Sequence, residues 1–269
     1  MVEYHYLGDQ NLDPNLNLAM DEILLNRTKP GIVYLRFYSF SRPVMILSYT
    51  ESIEDVRSDY LTERGISLSR RLSAGGVMYC DQNSLCYSLI GRRDDLANQY
   101  GIHEKHGRKI GDVLSEEMGC QIYLGKHFSL RTNPDVTKIL AGHGVRLTKD
   151  SYLYHGIIAT EPWDLNLLSG GIVLSPREEE IIPQLPYLSR PKPHMVRRLL
   201  EGVTDGNYRV VESSELDEIV TSAKHLARNK YNRDHWIHEA KATHDAQGLR
   251  TWTGGGFCFC VTRGNEPLL

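Results

Sequence analysis

The order of its apolar patterns constrains this chain most: short runs rich in β-branched and aromatic residues are interrupted by a few helical periodicities, without a repeating strand–helix–strand unit. Asn15 to Arg27 places Leu16, Ala19, Met20, Ile23 and Leu24 at helical spacing behind the start signal Asp13-Pro14. Ile32 to Phe40 and Val44 to Tyr49 read as strands joined through Ser41-Arg42-Pro43, as in a hairpin. A polar helical stretch around Glu54 to Arg64 is followed by strand-like segments at Ile66 to Ser69, Gly76 to Tyr79 and Leu85 to Ile90. His103 to Met118 predicts an amphipathic helix closed by Gly119. Gln121 to Leu124, Val145 to Leu147 and Tyr152 to Ala159 read as further strands, the last two turning back through Thr148-Lys149-Asp150. The prolines from Pro176 to Pro193 predict an irregular crossing, and Ser214 to Asn229 a late helix capped by Ser213 or Ser214. This order predicts an α+β fold.

Composition narrows the function. The 269 residues are 41% apolar and 24% charged with a formal net charge of -3, which suits a globular protein and disfavours a nucleic-acid surface, since phosphate binding calls for a basic excess. No apolar run approaches the roughly 20 residues of a membrane span, and the start Met1-Val2-Glu3-Tyr4-His5 lacks a signal peptide's basic and apolar regions. A cytoplasmic location without a membrane partner is expected. The five cysteines, Cys80, Cys86, Cys120, Cys258 and Cys260, follow no disulfide ladder and no C-x-x-C spacing, so they read as reduced thiols.

The chemistry concentrates in Arg70-Arg71-Leu72-Ser73-Ala74-Gly75-Gly76-Val77-Met78-Tyr79-Cys80-Asp81, read as a strand, a glycine turn and a second strand. Paired glycines let backbone approach a ligand and expose successive N–H groups to phosphate, and arginine adds a bidentate clamp. The run resembles the signature of the lipoate-protein ligase A family, in which two arginines precede a serine and a glycine-rich turn. The resemblance implies that Arg71, Ser73, Gly75, Gly76, Val77, Met78 and Tyr79 hold ATP and the acyl-adenylate, with Leu72 at the lipoate pocket. Ala74 stands where the family prefers glycine, and Cys80 where it has histidine.

Two further segments extend the resemblance. Arg131-Thr132-Asn133-Pro134-Asp135 is similar to the family's Arg-Asn-Asp element, with Pro134 inserted, which implies Asn133 and Asp135 near the phosphates and magnesium near Asp135. An Asx-type turn closed by proline is the alternative reading of the same residues. Lys138 to Asp150, followed by Tyr154-His155-Gly156, resembles the loop and hairpin carrying the family's central lysine. A fixed ammonium there neutralises charge as a carboxylate attacks the α-phosphate of ATP. The spacing matches from His155-Gly156 back to Gly142, but Lys138 falls one residue early, with Ile139, Leu140 and Ala141 before Gly142 where the family has two residues. Either the loop bulges by one residue or the lysine function is altered. Arg146 and His155 are implied at the lipoate pocket.

The resemblance spans about Leu16 to Trp236. It implies one catalytic domain over residues 1–238 with a central mixed or antiparallel sheet flanked by helices, of the biotin-ligase and lipoate-ligase, class II synthetase-like, type. A tail over 239–269 is shorter than an accessory domain, so any accessory polypeptide is expected from a separate chain. The implied reaction is activation of lipoate or octanoate with ATP and Mg2+, with Lys138 catalytic, and transfer to a lysine of a lipoyl domain of a 2-oxoacid dehydrogenase E2 subunit or the glycine-cleavage H protein. Related octanoyl transferases have a lysine loop that Lys138-Ile139-Leu140-Ala141 also resembles. They need a nucleophilic cysteine, and in their commoner form its place holds Tyr152; no cysteine lies between Cys120 and Cys258. That favours ATP-driven ligation, with a transferase working without ATP and a non-catalytic homologue that binds lipoyl carriers as alternatives.

Overall fold

The computed structural model describes residues 2–93, 98–125, 128–132, 139–174 and 185–239. In chain order these form β1 (Glu3–Leu12), α1 (Pro14–Asn26), β2 (Ile32–Phe40), β3 (Val44–Leu47), α2 (Ser58–Glu63), β4 (Ser67–Arg70), β5 (Met78–Cys80), β6 (Ser84–Arg92) and α3 (Gln99–Met118). There follow β7 (Tyr123–Gly125), β8 (Ser129–Arg131), β9 (Ile139–Leu147), β10 (Ser151–Ala159), α4 (Leu165–Gly171), α5 (Lys192–Thr204), β11 (Tyr208–Val210), α6 (Ser213–Leu226) and α7 (Asp234–Glu239).

Among the described residues one mixed sheet runs in the order β11-β1-β2-β6-β10-β9-β8-β7, and a smaller sheet in the order β4-β3-β5. β1 pairs parallel with both β2 and β11, while the remaining ladders of the large sheet are antiparallel. The α+β expectation holds.

The hairpin expected between β2 and β3 does not form. β1 occupies one edge of β2 and β6 the other, so β2 has no backbone groups left for β3. Nor do β4 and β5 pair across the glycine turn: β3 lies between them, parallel to β4 and antiparallel to β5. The late helix begins at Ser213 with Glu212 as its N-cap and no side-chain cap bond, so the expected serine cap is absent. α5 starts inside the proline-rich crossing, because Pro193 sits in the first helical turn, where its missing N–H costs nothing.

Alternation along the central strands splits the core. Tyr34, Tyr38, Cys86, Ile90, Leu153 and Ile157 face α1, α6 and the small sheet, whereas Leu35, Phe37, Tyr87, Leu89, Tyr152 and Tyr154 face α3 and α5. The helix α1 is set by Asp13, whose side chain accepts from the N–H of Asn15 at 3.0 Å, and by Pro14 in the first turn. α3 ends where Gly119 takes the left-handed conformation, φ 63°, as the sequence predicts.

Candidate active site

The signature turn lies between β4 and β5 against the α1 face of the large sheet. Both arginines point inward. Arg70, 1% exposed, donates to the carbonyls of Ser48 and Glu51, both at 2.7 Å, and to that of Ile237 at 2.8 and 2.9 Å. The indole of Trp236 donates back to the Arg70 carbonyl at 3.0 Å and packs on Tyr231 and Tyr49, so α7 is clamped onto the turn. Arg71, also 1% exposed, braces the turn from beneath through the carbonyls of Gly76 (2.8 Å), Ala74 (3.3 Å) and Ile46 (3.3 Å), and donates from Nε to Ser73 Oγ at 3.0 Å. Gly75 has φ +123°, and a Cβ there would stand 2.8 Å from the Arg71 guanidinium. Only glycine satisfies both demands.

Ser73 is the hub. Its hydroxyl lies 2.6 Å from His155 Nε2, and His155 Nδ1 lies 3.2 Å from Asp21 Oδ2. Asp21 projects from α1 and is 2% exposed; it also accepts from Arg36 at 3.0 Å and from the Ser88 hydroxyl at 2.8 and 2.9 Å. Burial pushes the Asp21 carboxyl up, but the His155 hydrogen bond, the charge of Arg36 and the Ser88 hydroxyl outweigh it and hold the group below its ordinary value. It is therefore ionised at neutral pH. Nδ1–H of His155 donates to it, which leaves Nε2 as acceptor for Ser73.

The neighbouring β9 and β10 explain the glycines around the histidine. Gly144 faces His155 across the ladder, and a Cβ on it would meet Ser73 Oγ at 2.5 Å and His155 Nε2 at 2.9 Å. Gly156 points to the opposite face, where a Cβ would meet the Tyr87 hydroxyl at 2.7 Å. The His-Gly pair thus serves two faces: the imidazole reaches Ser73 on one, and the missing side chain admits Tyr87 on the other. Arg146, two residues beyond Gly144, lies over the Tyr49 ring at 5.2 Å.

The structure therefore brings Arg71, Ser73, Gly75, Gly76, Arg146 and His155 to one place. Leu72 is half-buried against the apolar core, and Val77, Met78 and Tyr79 are buried where the chain enters and forms β5. Asn133, Asp135 and Lys138 lie outside the described residues, as does the tail from residue 240 onward. The cysteines Cys80 and Cys86 are buried and Cys120 is exposed, none in a disulfide. Among the described residues no group of three His, Cys, Asp or Glu side chains is arranged to hold a metal ion.

One register detail bears on the lysine loop. Leu130 pairs with Ala141 but Arg131 pairs with Ile139, so β9 carries one extra residue, Leu140, opposite β8. Sequence reading missed Asp21 and Arg36. Asp21 interrupts the apolar stripe of α1, and Arg36 is the single charge in the nine residues of β2. A charge of opposite sign on the apolar face of each of two buried elements is the signal that they pair.

A mixed sheet flanked by helices, with a glycine turn facing a buried Ser-His-Asp chain, makes this an α+β domain, and comparison with known proteins gives its family. Residues 13–184 match the lipoyl protein ligase A/B catalytic domain, and the chain belongs to that family. It is 36% identical over 90 residues to lipoate-protein ligase LplJ of Bacillus subtilis, covering 33% of this chain and 27% of that protein. It is 27% identical over 176 residues to lipoate–protein ligase 1 of Staphylococcus aureus, covering 64% and 50%. Octanoyltransferase LipM of Lysinibacillus sphaericus is 23% identical over 239 residues, covering 82% and 84%. The first relatives are thus matched over half their length or less. The fold is that of the crystal structure of lipoate-protein ligase A bound with ATP, with TM-score 0.76, 20% identity and coverage of 88% and 98%.

Proposed function

We propose that this protein is a lipoate-protein ligase: it activates lipoate or octanoate with ATP to the acyl-adenylate and transfers the acyl group to a lysine of a lipoyl carrier. The bulge at Leu140 carries the reading. The family spacing leaves one residue too many between Lys138 and Gly142, and the one extra residue that β9 carries in that interval, Leu140, supports the first of the two possibilities, a bulged loop with the lysine still in its family role. Family membership supports the acyl chemistry, and a related fold bound with ATP and another, from Thermoplasma acidophilum, bound with lipoic acid support the two substrates.

In this reading the acid lies along the α1 face of β9 and β10 beside Leu72, Arg146 and His155, while Gly75 to Tyr79, with Asn133, hold the nucleotide. Arg71 keeps the turn open by anchoring its carbonyls. Magnesium offsets phosphate charge, with Asp135 as the residue to hold it. The ammonium of Lys138 neutralises charge on the α-phosphate. A lipoyl domain of an E2 subunit or the glycine-cleavage H protein is the acceptor, and an archaeal two-part ligase solved with its E2 lipoyl domain supports both that partner and a separate accessory chain. No described helix is long and apolar enough to cross a membrane, and we assign the reaction to the cytoplasm.

Lys138→Ala is expected to reduce lipoate-dependent pyrophosphate release by about 100-fold or more, in the range of lost electrostatic stabilisation at a transition state. Release at the wild-type rate would remove the lysine from the reaction. The match to LipM octanoyltransferases over 84% of one of them favours a second reading, acyl exchange without ATP. It requires a nucleophile that Tyr152, with its hydroxyl on His106 at 2.9 Å, does not supply.

A further inference from the structure

The chain from Asp21 through His155 to Ser73 does more than hold the turn together. We infer that it is a proton relay that takes the proton of the attacking lysine during acyl transfer, with Ser73 touching the amine and His155 and Asp21 acting through it. The inference rests on the proposed transfer from an acyl-adenylate to a lysine.

The hydrogen-bond inventory of Ser73 fits this task. Its proton goes to His155 Nε2 at 2.6 Å, and one oxygen lone pair accepts from Arg71 Nε at 3.0 Å. A hydroxyl has a second lone pair, and that is the acceptor for an incoming N–H; Ser73 is fully buried, so binding of the acyl-adenylate and the acceptor has to open the path to it. The lysine arrives as an ammonium. One of its protons passes to Ser73 Oγ as the Ser73 proton passes to His155, which frees the nitrogen lone pair to bond the acyl carbon. The bond to the AMP oxygen breaks, AMP departs with the electron pair, and the second nitrogen proton leaves on the AMP phosphate as the amide forms. The resulting imidazolium faces an ionised Asp21, which is fixed independently by Arg36 and Ser88.

The other groups around the histidine are compatible with one added proton. Arg36 and Tyr38 come from β2, Cys86 from β6, Arg71 from the turn, and His143 and Arg146 from β9. Burial keeps His143 neutral, and Arg36 is already matched by Asp21. The bare Gly144 leaves the space in which Ser73 and His155 meet.

The test uses chemically prepared octanoyl-adenylate and a lipoyl domain in single turnover, which bypasses the ATP step. With a relay, the reactive state holds one proton shared between lysine and histidine, so the wild-type rate is flat from about pH 7 to 9, below the lysine value of about 10.4. His155→Gln and Ser73→Ala are each expected to fall about 100-fold or more at neutral pH and to rise about tenfold per pH unit, because the ammonium must then lose its proton to solvent unaided. The double variant should be no slower than either single one. His155→Gln and Ser73→Ala that are slower but keep the flat profile would reduce the chain to a structural brace and overturn the relay. An octanoyl group found on Ser73 would also overturn it, making the serine a nucleophile. Wild type that transfers no faster than the enzyme-free rate at any pH would overturn acyl transfer to lysine, and the relay with it.

Discussion

Asp21→Ala is expected to destabilise the protein by roughly 3–5 kcal/mol, the cost of leaving a buried charge without its partner. Arg36 is fully buried, and its guanidinium depends on Asp21 for neutralisation even though Asn17 also accepts from it at 2.5 and 2.9 Å. The substitution would also strip His155 of its Nδ1 partner and Ser88 of its acceptor. Asp21→Asn preserves the shape and some hydrogen bonding, so its loss should be smaller. Urea unfolding of the three proteins measures this, and a midpoint for Asp21→Ala within error of wild type would show that the ion pair contributes nothing.

The second large effect is acid lability, and it arises on the other face of the sheet. His103 and His106 from α3 donate to or accept from the hydroxyls of Tyr154 and Tyr152 at 3.0 and 2.9 Å. His143 from β9 is hydrogen-bonded to Tyr87 and stacked on Tyr154 with centroids 4.7 Å apart. Among the described residues, His103 Nε2 and His106 Nδ1 have no hydrogen-bond partner. Burial pushes His103 down to about 4 and His106 down to about 3, and holds His143 well below its ordinary value. These groups take up protons in the unfolded chain first, at about pH 6.5. Stability is therefore complete above that pH and is lost below it, by up to about 1.4 kcal/mol per pH unit for each histidine. Thermal midpoints between pH 7 and 4.5 test this, and His106→Gln should flatten the slope. A midpoint that holds constant over that range would mean these imidazoles take up protons in the fold as they do in the unfolded chain.

Much of this architecture was legible because local chemistry and tertiary context agree. Asp13-Pro14 starts α1, Gly119 ends α3, and Thr148-Lys149-Asp150 turns β9 into β10. What escaped was set by competition between distant segments. β1 is a polar-rich strand with a bulge between Tyr6 and Asp9, so it lacks clean alternation, yet it claims the edge of β2 that the expected hairpin needed. The signature run was recognised residue by residue, but its arginines were expected to face an anion. Their inward orientation depends on carbonyls from Ile46, Ser48, Glu51 and Ile237, which no local pattern announces. His155 was legible from its glycine neighbour, whereas its partner Asp21 is 134 residues away in sequence and became visible only when α1 docked on β10.

The most direct test of the ligase account is the mass of a lipoyl-domain acceptor incubated with the protein, lipoate, ATP and magnesium, beside a parallel reaction offering an octanoyl thioester without ATP, each with and without an accessory chain. The account predicts a lipoyl mass increment on the acceptor lysine that requires ATP and disappears in Lys138→Ala. An acceptor modified from the thioester alone, or left unmodified in every arm, would contradict it.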